Sequence, residues 1–287
     1  MPANICPIVP LTFFKAGTEF GFVDISPSTL HMDLEAAEER IRTGKYGGLL
    51  YAHTYGDPYT PRDSLREIKW NFPDLLLIDD RCLCTPDLEP DPASPADALL
   101  YSTGYAKIVD QGPGGYAFLK EDLTYQSRSQ HFDPQDLDTA ERTYKQSVAT
   151  SQRYSYKDSN WLQTDLEMPR WPEFAERVRT EREKSIAHRQ AINEVYNSLV
   201  PPDLCLSEPY QLWRFNLRLP DKKKTLAAIF DAGLFASSHY ASLSGIMGEG
   251  RSPAAEKLAG EIINLFNDAH YTVPMAERTA QIVSRSL

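Results

Sequence analysis

From residue 20 to residue 120, short apolar runs alternate with amphipathic segments, and that alternation restricts this part of the chain to an α/β architecture. Phe20–Ile25 (FGFVDI) reads as a strand. Pro27 and Ser28 break it, and Asp33 caps a helix, DLEAAEERIRTG, that Gly44 closes at its C′ position. Gly48–His53 is the next strand, followed by the turn signal Thr54-Tyr55-Gly56-Asp57-Pro58. Pro61–Phe72 reads as a helix. Asp74–Asp79 (DLLLID) is almost wholly apolar, as a strand covered on both faces of a parallel sheet must be. These segments predict two consecutive βαβ units. The proline-rich stretch Thr85–Ala96 is a loop, and Ala98–Ser102 and Gly115–Leu119 are two further short strands around the turn Gly112-Pro113-Gly114-Gly115. Long loops at the carboxyl ends of parallel strands are where such sheets bind ligands.

The rest of the chain has a different pattern. Residues 121–171 are polar and aromatic with weak periodicity, and one helix is predicted near 134–150. Trp171–Leu199 is a long helix with Pro172 near its start, and Pro201-Pro202 stops it. Beyond it, Gln211–Leu219 alternates like a strand, while Lys222–Ala232, Pro253–Phe266 and Val273–Ser286 read as helices, which together make a small α+β unit. The expected division is 1–171 for the α/β unit and 172–287 for the linking helix and second unit. With 30 basic against 40 acidic residues the net charge is −10, so a nucleic-acid platform is not expected. No apolar run approaches a membrane span, and the opening MPANICPIVPLTFF has no basic region before it, so a cytoplasmic protein is expected. The four cysteines give neither a disulfide framework nor a metal pattern, and read as buried thiols.

The polar residues that stand out in the α/β part all lie at predicted strand ends: His53, Asp80, Ser102 and Lys107. A desolvated lysine near a carboxylate is what Schiff-base chemistry uses, because burial makes the amine nucleophilic and an Asp can keep a pyridine nitrogen protonated. The plain alternatives are an exposed loop lysine, a turn carboxylate and a core histidine bonded to backbone.

At these same residues the sequence resembles a family. FVDISPSTLHMDLEAAEERI, YAHTYGDP, LLLIDDRC, the Asp97-to-Lys107 spacing followed by DQGPGG, and then DAGLFASSHYASL and RSPAAEKLAGEIINLF are similar, in order, to segments of the DegT/DnrJ/EryC1/StrS sugar aminotransferases. The resemblance runs over about three quarters of the chain and implies a fold-type I, pyridoxal 5′-phosphate-dependent transferase, here with a truncated, mostly parallel sheet domain and a smaller C-terminal α+β domain. It implies that Lys107 holds the cofactor and later moves protons, that Asp80 faces the pyridine nitrogen, that Ser102 binds the phosphate and that His239 approaches the substrate. His53 takes a structural role, and no metal is implied. The implied substrate is a keto sugar carried on a nucleotide, with glutamate as amino donor, and the implied assembly is a homo- or hetero-dimer with a family homologue.

Departures from the family pattern bear on activity. Met1 stands just before the segment that should follow the family's phosphate-cradling turn, Leu83 stands where the family has a glutamine, and the Asn-Tyr-Arg motif that reaches a neighbouring subunit is not recognisable in residues 150–170, where Asn160-Trp161 is a poor candidate for it. Two readings follow. One is an aminotransferase that a partner chain completes and that binds its cofactor weakly alone. The other is a non-catalytic structural partner of a complete homologue. Either way an apolar face near Met1–Phe14 is expected to be exposed for a partner chain to cover.

Overall fold

The structure, a computed structural model, describes residues 1–286 apart from Pro113, Ser127 and Asp165. Its first sheet has four strands in the order β1 (Gly48–Ala52), β2 (Leu76–Asp80), β3 (Ala98–Ser102) and β4 (Gly115–Leu119). The first three are parallel, with Leu50 opposite Ile78 and Ile78 opposite Ala98; β4 returns antiparallel, pairing Ser102 with Gly115. The molecule is therefore α/β with a mostly parallel sheet.

Local chemistry sets the elements around this sheet. Helix α1 (Ile8–Lys15) follows the opening turn, and α2 (Leu34–Ile41) begins where the Asp33 carboxylate accepts from Ala36 N. Helix α3 (Arg62–Asn71) joins β1 to β2 as one right-sized crossover and turns Leu65 and Ile68 inward. The stretch from Arg81 to Asp97 that joins β2 to β3 contains no helix. Phe20–Ile25 forms no ladder strand either; it makes only the bridges Pro2–Val23 and Ile25–Met32, so one βαβ unit stands where two were predicted. The apolar face expected to be exposed near Met1–Phe14 is largely covered, although Ile8 remains exposed and Val9, Phe13 and Phe14 are half-buried. Met1, Ala3, Ile5 and Leu11 are buried in this chain's own core, together with Phe22, Leu50 and Trp161.

Helix α4 (Pro134–Thr150) is capped by Asp133, and the 29-residue α5 spans Trp171–Leu199. The second sheet has the order β5 (Phe215–Arg218), β7 (Ile262–Leu265), β6 (Ala236–Ser237), antiparallel throughout. Helices α6 (Lys222–Asp231), α7 (Pro253–Glu261) and α8 (Val273–Ser286) surround it. The helix predicted over Pro253–Phe266 ends at Glu261, because Ile262, Ile263 and Leu265 are fully buried and pair on both sides as the central strand. Helix α5 serves both units. Phe174 and Val178 near its start pack with Ile108 and Val109, and Ile192 and Tyr196 near its end pack with Phe215 and Ile263.

Candidate active site

Residues from the carboxyl ends of β1, β2 and β3 meet in one cavity of about 180 Å³, lined by Ala52, His53, Asp80, Cys82, Ser102, Lys107 and Tyr240 and roofed by Asn4–Cys6 with Ile8 and Val9 of α1. The strand geometry explains the membership. Side chains alternate along β2, so Asp80 lines the cavity while Asp79 points the other way, into the protein. Asp80 accepts from Cys82 N at 3.0 Å. Ser102, at the end of β3, accepts from Gly104 N at 3.4 Å, and Gly104 lies against the carbonyls of Gly112 and Gly114, so the glycine turn comes beside the Ser102 hydroxyl. Lys107 follows in a loop held by Lys107 N to Gly104 O, 3.2 Å. No hydrogen bond or ion pair among the described residues engages its Nζ.

Asp79 builds the floor. Its carboxylate accepts from Arg81 Nε at 2.9 Å and lies 2.7 Å from His53 Nε2, while His53 Nδ1 contacts Asp57 O at 2.7 Å. Burial disfavours charge on the His53 imidazole, but Cys84 and Asp79 outweigh it and push the pKa up to about 10. The same partners hold the Asp79 carboxyl below its usual range despite its burial. Behind this pair the chain turns at Tyr55-Gly56. Gly56 has φ +82° and sits so close to Leu83 O that an added Cβ would lie 2.5 Å from it, so only glycine fits there.

Of the predicted site residues, Lys107, Asp80 and Ser102 come together. His239 does not line the cavity; its neighbour Tyr240 does, and the exposed His239 ring sits 6.1 Å from Trp213. Partial burial, then the charges of Arg214 and Lys107, draw the His239 pKa down. With one side open to solvent, the two cations are the firmer cause. The Asn160-Trp161 pair does not reach outward, since Trp161 is buried in this chain's core and donates to Tyr156 OH. Three contributors went unseen in the sequence. The Asn4 side chain, fully buried on the cavity wall, has no hydrogen-bond partner for either amide atom; Cys6 and Cys82 bring thiols whose pKa values burial raises. A larger, open cavity of about 650 Å³ runs along Gln190, Asn193, Glu194 and Asn197 of α5, and no predicted site residue lines it.

No family model matches the sequence, and no curated protein does. Solved structures do match. A DegT/DnrJ/EryC1/StrS aminotransferase from Brucella abortus superposes with a TM-score of 0.66 at 15% identity, over 99% of this chain and 78% of that one. This chain has the fold of those aminotransferases. DesV from S. venezuelae gives 0.67 at 19% identity over 100% and 77% of the two chains. E. coli GDP-4-keto-6-deoxy-D-mannose-3-dehydratase, solved with bound hydrated pyridoxal phosphate, gives 0.62 at 14% over 99% and 78%. The fold is thus that of type I pyridoxal phosphate-dependent transferases, and the chain spans about four fifths of such neighbours.

Proposed function

We propose that this chain binds pyridoxal 5′-phosphate in the cavity at the ends of β1–β3 and transfers an amino group to a nucleotide-linked keto sugar. The supporting observation is the convergence of Lys107, Asp80 and Ser102 on one cavity, beside the unpartnered Asn4 amide. An amine, a carboxylate, a hydroxyl and an orphaned amide suit a ligand that carries an aldehyde, a ring nitrogen and a phosphate, so the donor set fits the cofactor. Lys107 would hold the aldehyde carbon and then shuttle a proton at the substrate carbon, its Nζ being free to do so. Asp80 would face the pyridine nitrogen and keep a proton there. Ser102, with Gly104 and the glycine turn behind it, would donate to the phosphate. When bound, the cofactor supplies an electron sink for bond breaking at the amine-bearing carbon. We assign His239 to the substrate side, where its exposed ring stands 6.1 Å from Trp213 and next to the cavity residue Tyr240.

The dehydratase among the neighbours acts on a nucleotide-linked keto sugar, which supports that substrate class here; glutamate is the proposed amino donor. We place the unit boundary at the start of α5, giving 1–171 and 172–287, and propose a cytoplasmic homo- or hetero-dimer with a homologue of the same fold. Among the described residues no helix is long and apolar enough to cross a membrane. The cavity of about 180 Å³ is smaller than the several hundred Å³ of ordinary ligand pockets, which supports weak binding by the isolated chain and completion by a partner. Leu83, an apolar side chain on the cavity wall, favours the second reading, a non-catalytic partner subunit.

Titration with pyridoxal 5′-phosphate tests this. A saturable visible band is expected for the wild type and none for Lys107→Ala, with Asp80→Ala weakening uptake roughly tenfold or more. No band in the wild type alone, and none beyond the homologue's own in a mixture with a complete homologue, would replace the enzyme reading with the non-catalytic one.

A further inference from the structure

Three successive carbonyls in the lysine loop are each held by a side chain from elsewhere in the chain. Trp213 Nε1 donates to Ala106 O at 2.8 Å, Arg189 Nη2 donates to Lys107 O at 2.9 Å, and Ser185 Oγ donates to Ile108 O. Ala106 itself has φ +62°, a left-handed conformation that a non-glycine residue keeps only where the surroundings impose it. The loop is therefore clamped from α5 and from the segment leading into β5.

Arg189 is the centre of that clamp. It is 1% exposed, and its guanidinium donates from Nε to Ser185 Oγ at 3.0 Å and from Nη1 to Trp213 O and Asn267 Oδ1, both at 2.7 Å. No carboxylate pairs with it among the described residues. A buried guanidinium satisfied by carbonyls and an amide acts as a rigid, planar fork. It fixes the Lys107 carbonyl relative to Trp213 and to Asn267, which follows β7. Asn267 is itself tied in, donating to Asn193 Oδ1 at 3.0 Å and to Gln211 O at 3.1 Å. The main chain of Lys107 thus hangs from a network on α5 and on the segments that flank β5 and β7.

We infer that Arg189 is a positioning residue for Lys107: by holding the lysine's carbonyl it fixes the root of the four-carbon stem and so where Nζ lies in the cavity. This rests on the reading of Lys107 as the reactive amine. A loosened root leaves the amine with the same chemistry but a spread of positions, and small displacements of a reacting group are costly. Trp213 is the second arm. Its ring lies parallel to Tyr240, 6.1 Å between centroids and 10° between planes, so the clamp also touches the cavity wall.

The test is competitive labelling of the cofactor-free protein with trace acetic anhydride, mapped by mass spectrometry across a pH series. Lys107 is compared with Lys145, whose side chain is 69% exposed. Arg189→Gln and Trp213→Phe should each change the relative labelling of Lys107 by roughly two- to tenfold, the span of one hydrogen bond, while leaving Lys145 unchanged. Arg189→Lys should restore part of the effect. Trp213→Phe keeps an aromatic ring beside Tyr240 and Arg214 and loses the bond to Ala106 O, so it tests the clamp if Arg189→Gln fails to fold. A purely structural role would lower the melting temperature without moving Lys107 labelling in the folded protein. Wild-type labelling of Lys107 in the folded variants would overturn the inference. Failure of the wild type to take up pyridoxal phosphate would instead overturn the proposed function, since the labelling needs no cofactor.

Discussion

His53 and Asp79 form a fully buried pair beside the cavity, and removing His53 leaves the Asp79 carboxylate with Arg81 as its one remaining cation among the described residues. His53→Gln is expected to destabilise the protein by about 1.5–3 kcal/mol at neutral pH, the loss of a hydrogen bond to a charged group, read from urea unfolding. The pH dependence has a definite sign. A histidine whose pKa rises on folding stabilises fully below its ordinary 6.5, and the contribution fades as pH rises through about 10. Asp79, held below 3.8, stabilises above that value and loses its contribution as pH falls further. The gap between wild type and His53→Gln should therefore shrink from neutral pH toward about 10, and a constant gap would contradict a charged pair. Gly56→Ala makes a second residue-scale case. With φ +82° and a Cβ only 2.5 Å from Leu83 O, it should cost about 1–3 kcal/mol and weaken cofactor uptake as well, because Leu83 and Trp213 both recoil.

Among the elements, α7 is anchored by a residue far away in sequence. Asp24 accepts from Ala254 N at 2.9 Å and Ala255 N at 3.0 Å, a carboxylate set on a helix N-terminus. Asp24→Ala should lower stability by about 1–2 kcal/mol in thermal melts, as loss of an N-cap does. Elements with strong local signals were legible in the sequence. Trp171–Leu199 runs uninterrupted between prolines, and Ala98–Ser102 and Gly115–Leu119 have their predicted bounds; the helix placed near 134–150 in the weakly periodic stretch is α4. Those shaped by distant pairing were not. Ile262–Leu265 continues an apolar helical pattern, and only β5 and β6 on either side draw it into a strand. Phe20–Ile25 looks like a strand by composition, yet its ladder reduces to isolated bridges. At the site, Lys107, Asp80 and Ser102 stand out as polar residues near predicted strand ends, but their position alone leaves the plain alternatives open, and the roles come from the resemblance. Tyr240 lies within the marked segment DAGLFASSHYASL, where the resemblance points to its neighbour His239 in its place, while Asn4 and Arg189 reach the cavity or its loop through folding alone, and no motif marks them.

At the scale of the molecule, α5 joins the two sheets, packing its first turns on the lysine loop and its last on the second core. Large apolar side chains remain on the outside, among them Tyr105 at 81% exposure, two residues from Lys107. A dimer that closes over this side would cover it, and mass measurement in solution should return a multiple of the 32.4 kDa chain; a monomer under all conditions would remove the homodimer from the account. The central claim is that Lys107 is the amine that takes the cofactor. Its most direct test is to incubate the protein with pyridoxal 5′-phosphate, reduce with borohydride, digest and map the pyridoxyl-bearing peptide. The account predicts one modified residue, Lys107, in the wild type and no modification at that site in Lys107→Ala. Label spread over exposed lysines, with Lys107 unmodified alone and in the presence of a complete homologue, would contradict it.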